Sequence, residues 1–204
     1  MTAIILAGGR SSRLGQNKAL QTMEGKSLIQ RVIDRLAILS TEIIIVTARG
    51  EEIPCSSTLS VRTVADVYTE SGPLAGIYSG LRASTCPRAI VVGCDTPFLN
   101  VNLLDYMSRI SSTFDAVVPR IEDNVEPLCA VYSRNCLASI QRLLEENNLR
   151  VNNLYTMVKV RYLGEDEIDR YDPKRLSFFN VNTEADLVRA REMVVREGLD
   201  GPGA

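Results

Sequence analysis

Apolar residues in this chain fall into two alternating spacings. Short, β-branched runs at Thr2–Leu6, Glu42–Val46, Val61–Ala65, Arg88–Gly93 and Ala116–Pro119 read as strands, several of them apolar at consecutive positions. Continuous apolarity means that both faces of a strand are covered, as in a parallel sheet between layers of helices. Between these runs the spacing becomes helical: Leu28, Ile29, Val32, Ile33 and Leu36 follow Ser27, an N-cap candidate, and Leu103, Leu104, Met107 and Ile110 follow Asn100. A further helix is expected over Cys136–Glu145. The last helix opens with Thr183-Glu184-Ala185-Asp186, a capping-box pattern ahead of Leu187, Ala190 and Val194. The order β-α-β-α-β predicts a Rossmann-like three-layer α/β/α fold with a mostly parallel central sheet. In such folds ligands bind beyond the carboxyl ends of the strands.

Composition narrows the picture. With 204 residues, 45% of them hydrophobic, the chain suits one domain over residues 1–204, with a frayed tail from about Gly198 to Ala204. The longest early polar connection is Gly50–Ser60, and there are no repeats or linker-like shifts. A net charge of −2 with scattered Lys and Arg disfavours nucleic acid as a partner. No run approaches a membrane span, and the apolar start Ala3–Ala7 has no basic residue before it, so a cytoplasmic protein is expected. Five cysteines form no C-x-x-C pair and histidine is absent. Zinc chemistry and histidine acid–base catalysis are thereby excluded, and any metal must sit on oxygen ligands, which favours Mg²⁺.

Candidate chemistry gathers at the strand ends. The first strand runs directly into Leu6-Ala7-Gly8-Gly9-Arg10-Ser11-Ser12-Arg13-Leu14-Gly15-Gln16-Asn17-Lys18. Its glycines let backbone N–H groups approach an anion, while Arg13 and Lys18 bring positive charge for a polyphosphate. The spacing is neither a dinucleotide fingerprint nor a Walker A loop. Taken alone, the segment also suits an ordinary glycine-rich turn. The third strand is followed by Asp66 and then Ser71-Gly72-Pro73-Leu74-Ala75-Gly76-Ile77; the fourth is followed by Cys94-Asp95-Thr96-Pro97. Asp95 suits either an Mg²⁺ bridged to phosphates or a turn cap before Pro97, and Asp66 suits a turn cap.

The ordered set of Leu6–Lys18, Gly72–Gly76, Cys94–Pro97, Glu126-Pro127-Leu128 with Tyr132, and Asn180-Val181-Asn182-Thr183 resembles the molybdenum cofactor guanylyltransferase family, also called molybdopterin-guanine dinucleotide biosynthesis protein A. The family pattern reads LAGG-x-S-x-R-M-G-x-D-K, GPLAG, C-D-x-P, EPL-x-x-Y and N-x-N-T, and the match spans nearly the whole chain. Leu14 stands where the pattern has methionine, and Asn17 where it has aspartate. The segment Val46–Arg49 lacks an asparagine frequent in the family.

The resemblance implies a nucleotidyltransferase that uses GTP and Mg²⁺ to convert molybdenum cofactor into its guanine dinucleotide form, releasing pyrophosphate. Residue by residue it implies that Leu6, Ala7 and Gly8 meet the guanine and that Arg13 and Lys18 meet phosphates. Asp66 would contact the nucleotide, Asp95 would bind Mg²⁺, and Asn180 and Asn182 would face the pterin. For the asparagines the local alternative is structural, with Asn182 capping the last helix and Asn180 ending a strand. Glu126 is read as ordering a loop. Molybdenum cofactor biosynthesis proteins and acceptor molybdoenzymes are the further partners consistent with the resemblance. Two alternatives stay open: a cytidylyltransferase acting on the same cofactor, whose relatives carry LAAG and lack GPLAG, and a catalytically silent nucleotide-binding adaptor, for which Asn17 speaks.

Overall fold

The structure is a computed structural model that describes residues 1–8, 18–68 and 71–198. Arg13 and the rest of the glycine loop from Gly9 to Asn17 lie outside the described residues, as does the expected frayed tail beyond Gly198. The central sheet is built on β1 (Thr2–Leu6), β4 (Glu42–Thr47), β5 (Ser60–Ala65), β6 (Arg88–Gly93), β7 (Ala116–Ile121), β9 (Cys129–Ser133) and β10 (Val160–Leu163), in the spatial order β10-β7-β9-β6-β1-β4-β5. Short β8 (Asn124–Val125) pairs with the end of β7, while β2 (Thr22–Met23) and β3 (Lys26–Ser27) form a separate hairpin.

β1 lies parallel to both β4 and β6, and β4 to β5. β9 is reversed, antiparallel to β6 and β7, as is short β8 against the end of β7, so β7 and its parallel neighbour β10 run with the rest. All the parallel strands therefore release their chains along one edge. The ladders continue past the strand ends: Ala7 N–H donates to Val46 O (2.9 Å), Cys94 N–H to Leu6 O (3.1 Å) and Asp66 N–H to Thr47 O (2.8 Å).

One face of the sheet is covered by α1 (Leu28–Leu36), α3 (Val101–Ile110) and α6 (Glu165–Asp169), which pack on Ile5, Ile43, Ile90 and Val131. The other is covered by α2 (Gly72–Ala83), α4 (Cys136–Glu145) and α5 (Val151–Leu154), packing on Ile4, Ile44, Val91 and Tyr132. Gly80 brings α2 onto β1, because a Cβ there would lie 2.4 Å from Ile4 Cγ2.

The sequence-predicted caps form. Ser27 accepts from Gln30 N–H, Asn100 from Leu103 N–H, and Thr183 shares a reciprocal capping box with Asp186 at the start of α7 (Glu184–Glu197). The β4-to-β5 connection is a loop rather than a helix, and Ile53, buried in the core, covers the sheet in its place. A third apolar cluster joins Met23, Leu28, Phe98, Val181, Leu187 and Ala190, seating α7 and the segment before it beside the end of β6.

Candidate functional site

Lys18 opens a short 3-10 turn (Lys18–Leu20) whose next residue, Ala19, is buried in the core beside α1. Lys18 is thus held in place just beyond the glycine loop. Its Nζ donates to Asp95 Oδ2 (2.6 Å) and to Asn182 Oδ1 (2.6 Å). The lysine and aspartate side chains are only 10% and 21% exposed, so this ion pair is much less screened than a surface one.

Asp95 follows β6 by two residues. Thr96 Oγ donates to Gly93 O (2.9 Å), and Val181 N–H donates to the Asp95 carbonyl (2.9 Å). The carboxylate folds back over the strand end, since a Cβ on Gly93 would stand 2.4 Å from Asp95 Oδ1. Only glycine leaves room for that rotamer. Gly93 is a site residue that the sequence reading treated merely as the end of a strand, although a glycine directly before Cys94-Asp95-Thr96-Pro97 was a visible signal. Neighbouring Cys94 is buried, and that burial, with Asp95 beside it, pushes its thiol up to about 12. A thiolate nucleophile is therefore absent from this corner.

Asp66 lies at the end of β5, three strands away in the order β5-β4-β1-β6. Its Oδ1 accepts from Ser79 Oγ (2.8 Å) and Tyr68 N–H (3.2 Å), and Ser79 Oγ in turn accepts from Val67 N–H (2.9 Å). Burial raises its pKa, and the hydrogen bonds offset this only in part. Asp66 therefore does cap its turn, as its local sequence suggested, and Ser79 on α2 is the partner that local sequence did not reveal.

Leu6 and Ala7 line the middle of the same edge, and Gly8 is exposed at its rim. Asn182 does not cap α7; Thr183 does, and the Asn182 amide oxygen is free to meet Lys18. Asn180 is exposed and its amide donates to Phe178 O (3.1 Å). The structure therefore brings together Lys18, Asp95 and Asn182, places Leu6–Gly8 beside them, sets Asp66 apart and leaves Asn180 outside the cluster. Among the described residues there is no group of three or more His, Cys, Asp or Glu side chains able to hold a metal. A metal here would rest on Asp95 and on oxygens brought by substrate, an arrangement that suits Mg²⁺.

Residues 3–156 match the family model described as MobA-like NTP transferase domain. A protein of Pelotomaculum thermopropionicum named probable molybdenum cofactor guanylyltransferase is 38% identical over 94% of this chain and 92% of its own length. The molybdenum cofactor guanylyltransferase of Desulfosudis oleivorans is 34% identical over 97% of each. Among solved structures, molybdopterin-guanine dinucleotide biosynthesis protein A from Archaeoglobus fulgidus superposes with a TM-score of 0.80 at 23% identity, covering 96% of this chain and all of that one. The 2-C-methyl-D-erythritol 4-phosphate cytidylyltransferase from Thermus thermophilus shares the fold, with a TM-score of 0.69 at 16% identity, covering 95% of this chain and 98% of that one. With a lysine, an aspartate and an asparagine meeting at the edge where such folds bind ligand, and with relatives matched nearly end to end, the chain is a nucleotidyltransferase of the MobA-like NTP transferase family.

Proposed function

We propose that this protein transfers GMP from GTP to molybdenum cofactor, working as a single nucleotidyltransferase domain in the cytoplasm with Mg²⁺. The observation that carries the reading is the meeting of Lys18 with Asp95 at 2.6 Å, at the edge where the glycine loop leaves β1. The names of the relatives supply the identity of nucleotide and acceptor. Among the described residues no helix is long and apolar enough to cross a membrane, which agrees with a cytoplasmic site of action.

In this reading Leu6, Ala7 and Gly8 receive the guanine, Asp66 contacts the nucleotide, and Lys18 and Arg13 receive the phosphates. An oxygen of the acceptor's terminal phosphate attacks the α-phosphorus of GTP in line. A bond forms between that oxygen and the α-phosphorus while the bond to the β-bridging oxygen breaks and pyrophosphate leaves. The attacking phosphate monoester is already ionised near neutral pH, so no protein base has to take a proton. What the chain contributes is positioning and charge. Asp95 would hold Mg²⁺, which when bound neutralises charge on the phosphate oxygens. Lys18 then exchanges its hydrogen bond to Asp95 for one to phosphate, and Asn182 keeps its ammonium aimed at the site. Asn180 is left as the asparagine facing the pterin.

Pyrophosphate release measured with GTP, CTP and ATP, each with and without molybdenum cofactor, tests the proposal. Release requiring both GTP and molybdenum cofactor is expected. A preference for CTP would replace guanylyl by cytidylyl transfer, and GTP binding without release would point to an adaptor.

A further inference from the structure

The reversed strand β9 has a consequence for the acceptor side. Gly93 N–H at the end of β6 donates to Leu128 O (3.2 Å) just before β9. Because the strands are antiparallel, the residues after β6 and those before β9 overhang the same edge. Asp95, two residues beyond Gly93, and Glu126, two residues before Leu128, therefore lie just beyond the same ends of adjacent strands, with Glu126 on the side away from β1 and its Leu6–Gly8 segment.

The main chain around Glu126 is braced at four points. Glu126 N–H donates to Pro119 O (2.9 Å), Cys129 N–H to Glu126 O (3.3 Å), Gly93 N–H to Leu128 O (3.2 Å), and the buried Tyr132 hydroxyl to Pro127 O (3.0 Å). Tyr132 is itself fixed by the hydroxyl of Tyr155 at 2.7 Å. The loop is ordered through its backbone, whereas the sequence reading gave that task to Glu126; among the described residues the Glu126 side chain takes no part in it. The Glu126 carboxyl is partly buried and makes no hydrogen bond or ion pair among the described residues. Burial raises its pKa, with no cation among the described residues to offset it. A rigidly held carboxyl that bears a desolvation penalty and has no partner among the described residues is suited to accept hydrogen bonds from a ligand.

We propose that the Glu126 carboxylate is a binding residue for the acceptor, taking hydrogen bonds from an adjacent amino group and ring N–H of its heterocycle. The inference rests on molybdenum cofactor being the acceptor, since a pterin presents that pair of donors. It assigns the two halves of the sheet edge to the two substrates, with β1-β4-β5 meeting the nucleotide and β9-β7-β10 meeting the heterocycle.

The test is steady-state transfer by the full chain, wild type against Glu126→Gln and Glu126→Ala, with molybdenum cofactor and GTP varied separately, together with GTP affinity and the thermal midpoint of each variant. Loss of a hydrogen bond to a charged group predicts a rise in KM for molybdenum cofactor of about 10- to 100-fold. KM for GTP, GTP affinity and thermal midpoint should stay at wild-type values. An unchanged KM for molybdenum cofactor in both variants overturns the inference, and so does a parallel loss of GTP affinity and thermal midpoint, which would mark Glu126 as purely structural. Absence of transfer by the wild-type protein would instead bring down the proposed function and this inference together.

Discussion

Asp66 and Asp95 end strands of one sheet at the same edge, yet they are solvated in opposite ways. Asp95 is neutralised by the buried ammonium of Lys18, whereas Asp66 is held by a hydroxyl and a backbone N–H, with burial raising its pKa. A carboxylate paired with a lysine can exchange that partner for another cation when phosphate takes the lysine, so its charge stays available for chemistry. A carboxyl fixed by neutral donors serves as a shaped hydrogen-bond acceptor, and folding disfavours its charge. The first corner is built for electrostatics and the second for positioning.

The largest break in this contrast should come from Asp95→Ala. Removing it is expected to lower turnover by about 10²–10³-fold in a pyrophosphate-release assay. It would also leave the Lys18 ammonium short of a partner, costing about 1–3 kcal/mol in denaturant unfolding. Lys18→Ala should lose a similar factor of about 10²–10³ in turnover. A Lys18→Ala enzyme with normal activity would sink the electrostatic account. Gly93→Ala comes next: its methyl group displaces the Asp95 carboxylate while leaving both charges in the protein. A misplacement of that kind can cost up to about 10²-fold in turnover, so a folded but slow enzyme is expected.

At the other corner the effects should be smaller. Ser79→Ala removes the hydroxyl donor to Asp66 and should cost about 1 kcal/mol of stability, with a modest rise in KM for GTP and little change in turnover. Asp66→Asn sharpens the comparison through pH. Because the folded pKa of Asp66 lies above its ordinary value, the unfolded chain releases the proton first as pH rises. The group therefore costs nothing below its unfolded pKa, destabilises progressively across the window between the unfolded and folded values, and bears its full penalty above that window. The stability of Asp66→Asn relative to wild type should therefore improve between about pH 3.5 and about pH 7. Unfolding curves at those two pH values check this, and a difference independent of pH would contradict it.

Much of this was legible locally. β1, β4 and β6 are apolar at consecutive inner positions because both their faces are covered, and Ser27, Asn100 and Thr183 announced the helix starts. The direction of β9 was not legible, because Cys129–Ser133 is a short buried run of the same kind as the parallel strands, and periodicity carries no direction. β10, half-buried at the sheet's end, had too weak a pattern to stand out. At the site, Lys18 and Asp95 were visible as residue types at strand ends. The contact of Asn182 with Lys18 was not, since nothing local links residues 164 positions apart. The same limit hid Ser79, whose hydroxyl reads as one more polar position on α2 until Asp66 is placed against it.

The corner around Lys18 draws on both ends of the chain: the lysine comes shortly after the first strand, and Val181 and Asn182 come just ahead of the last helix. During synthesis β1, β4, β5 and β6 can pair before residues 181 and 182 have been made, so Asp95 acquires its backbone tether, and Lys18 its second oxygen, only after that later segment is added. A product cut short before Val181 would hold Lys18 and Asp95 without the backbone tether on Asp95 and without the Asn182 oxygen on Lys18.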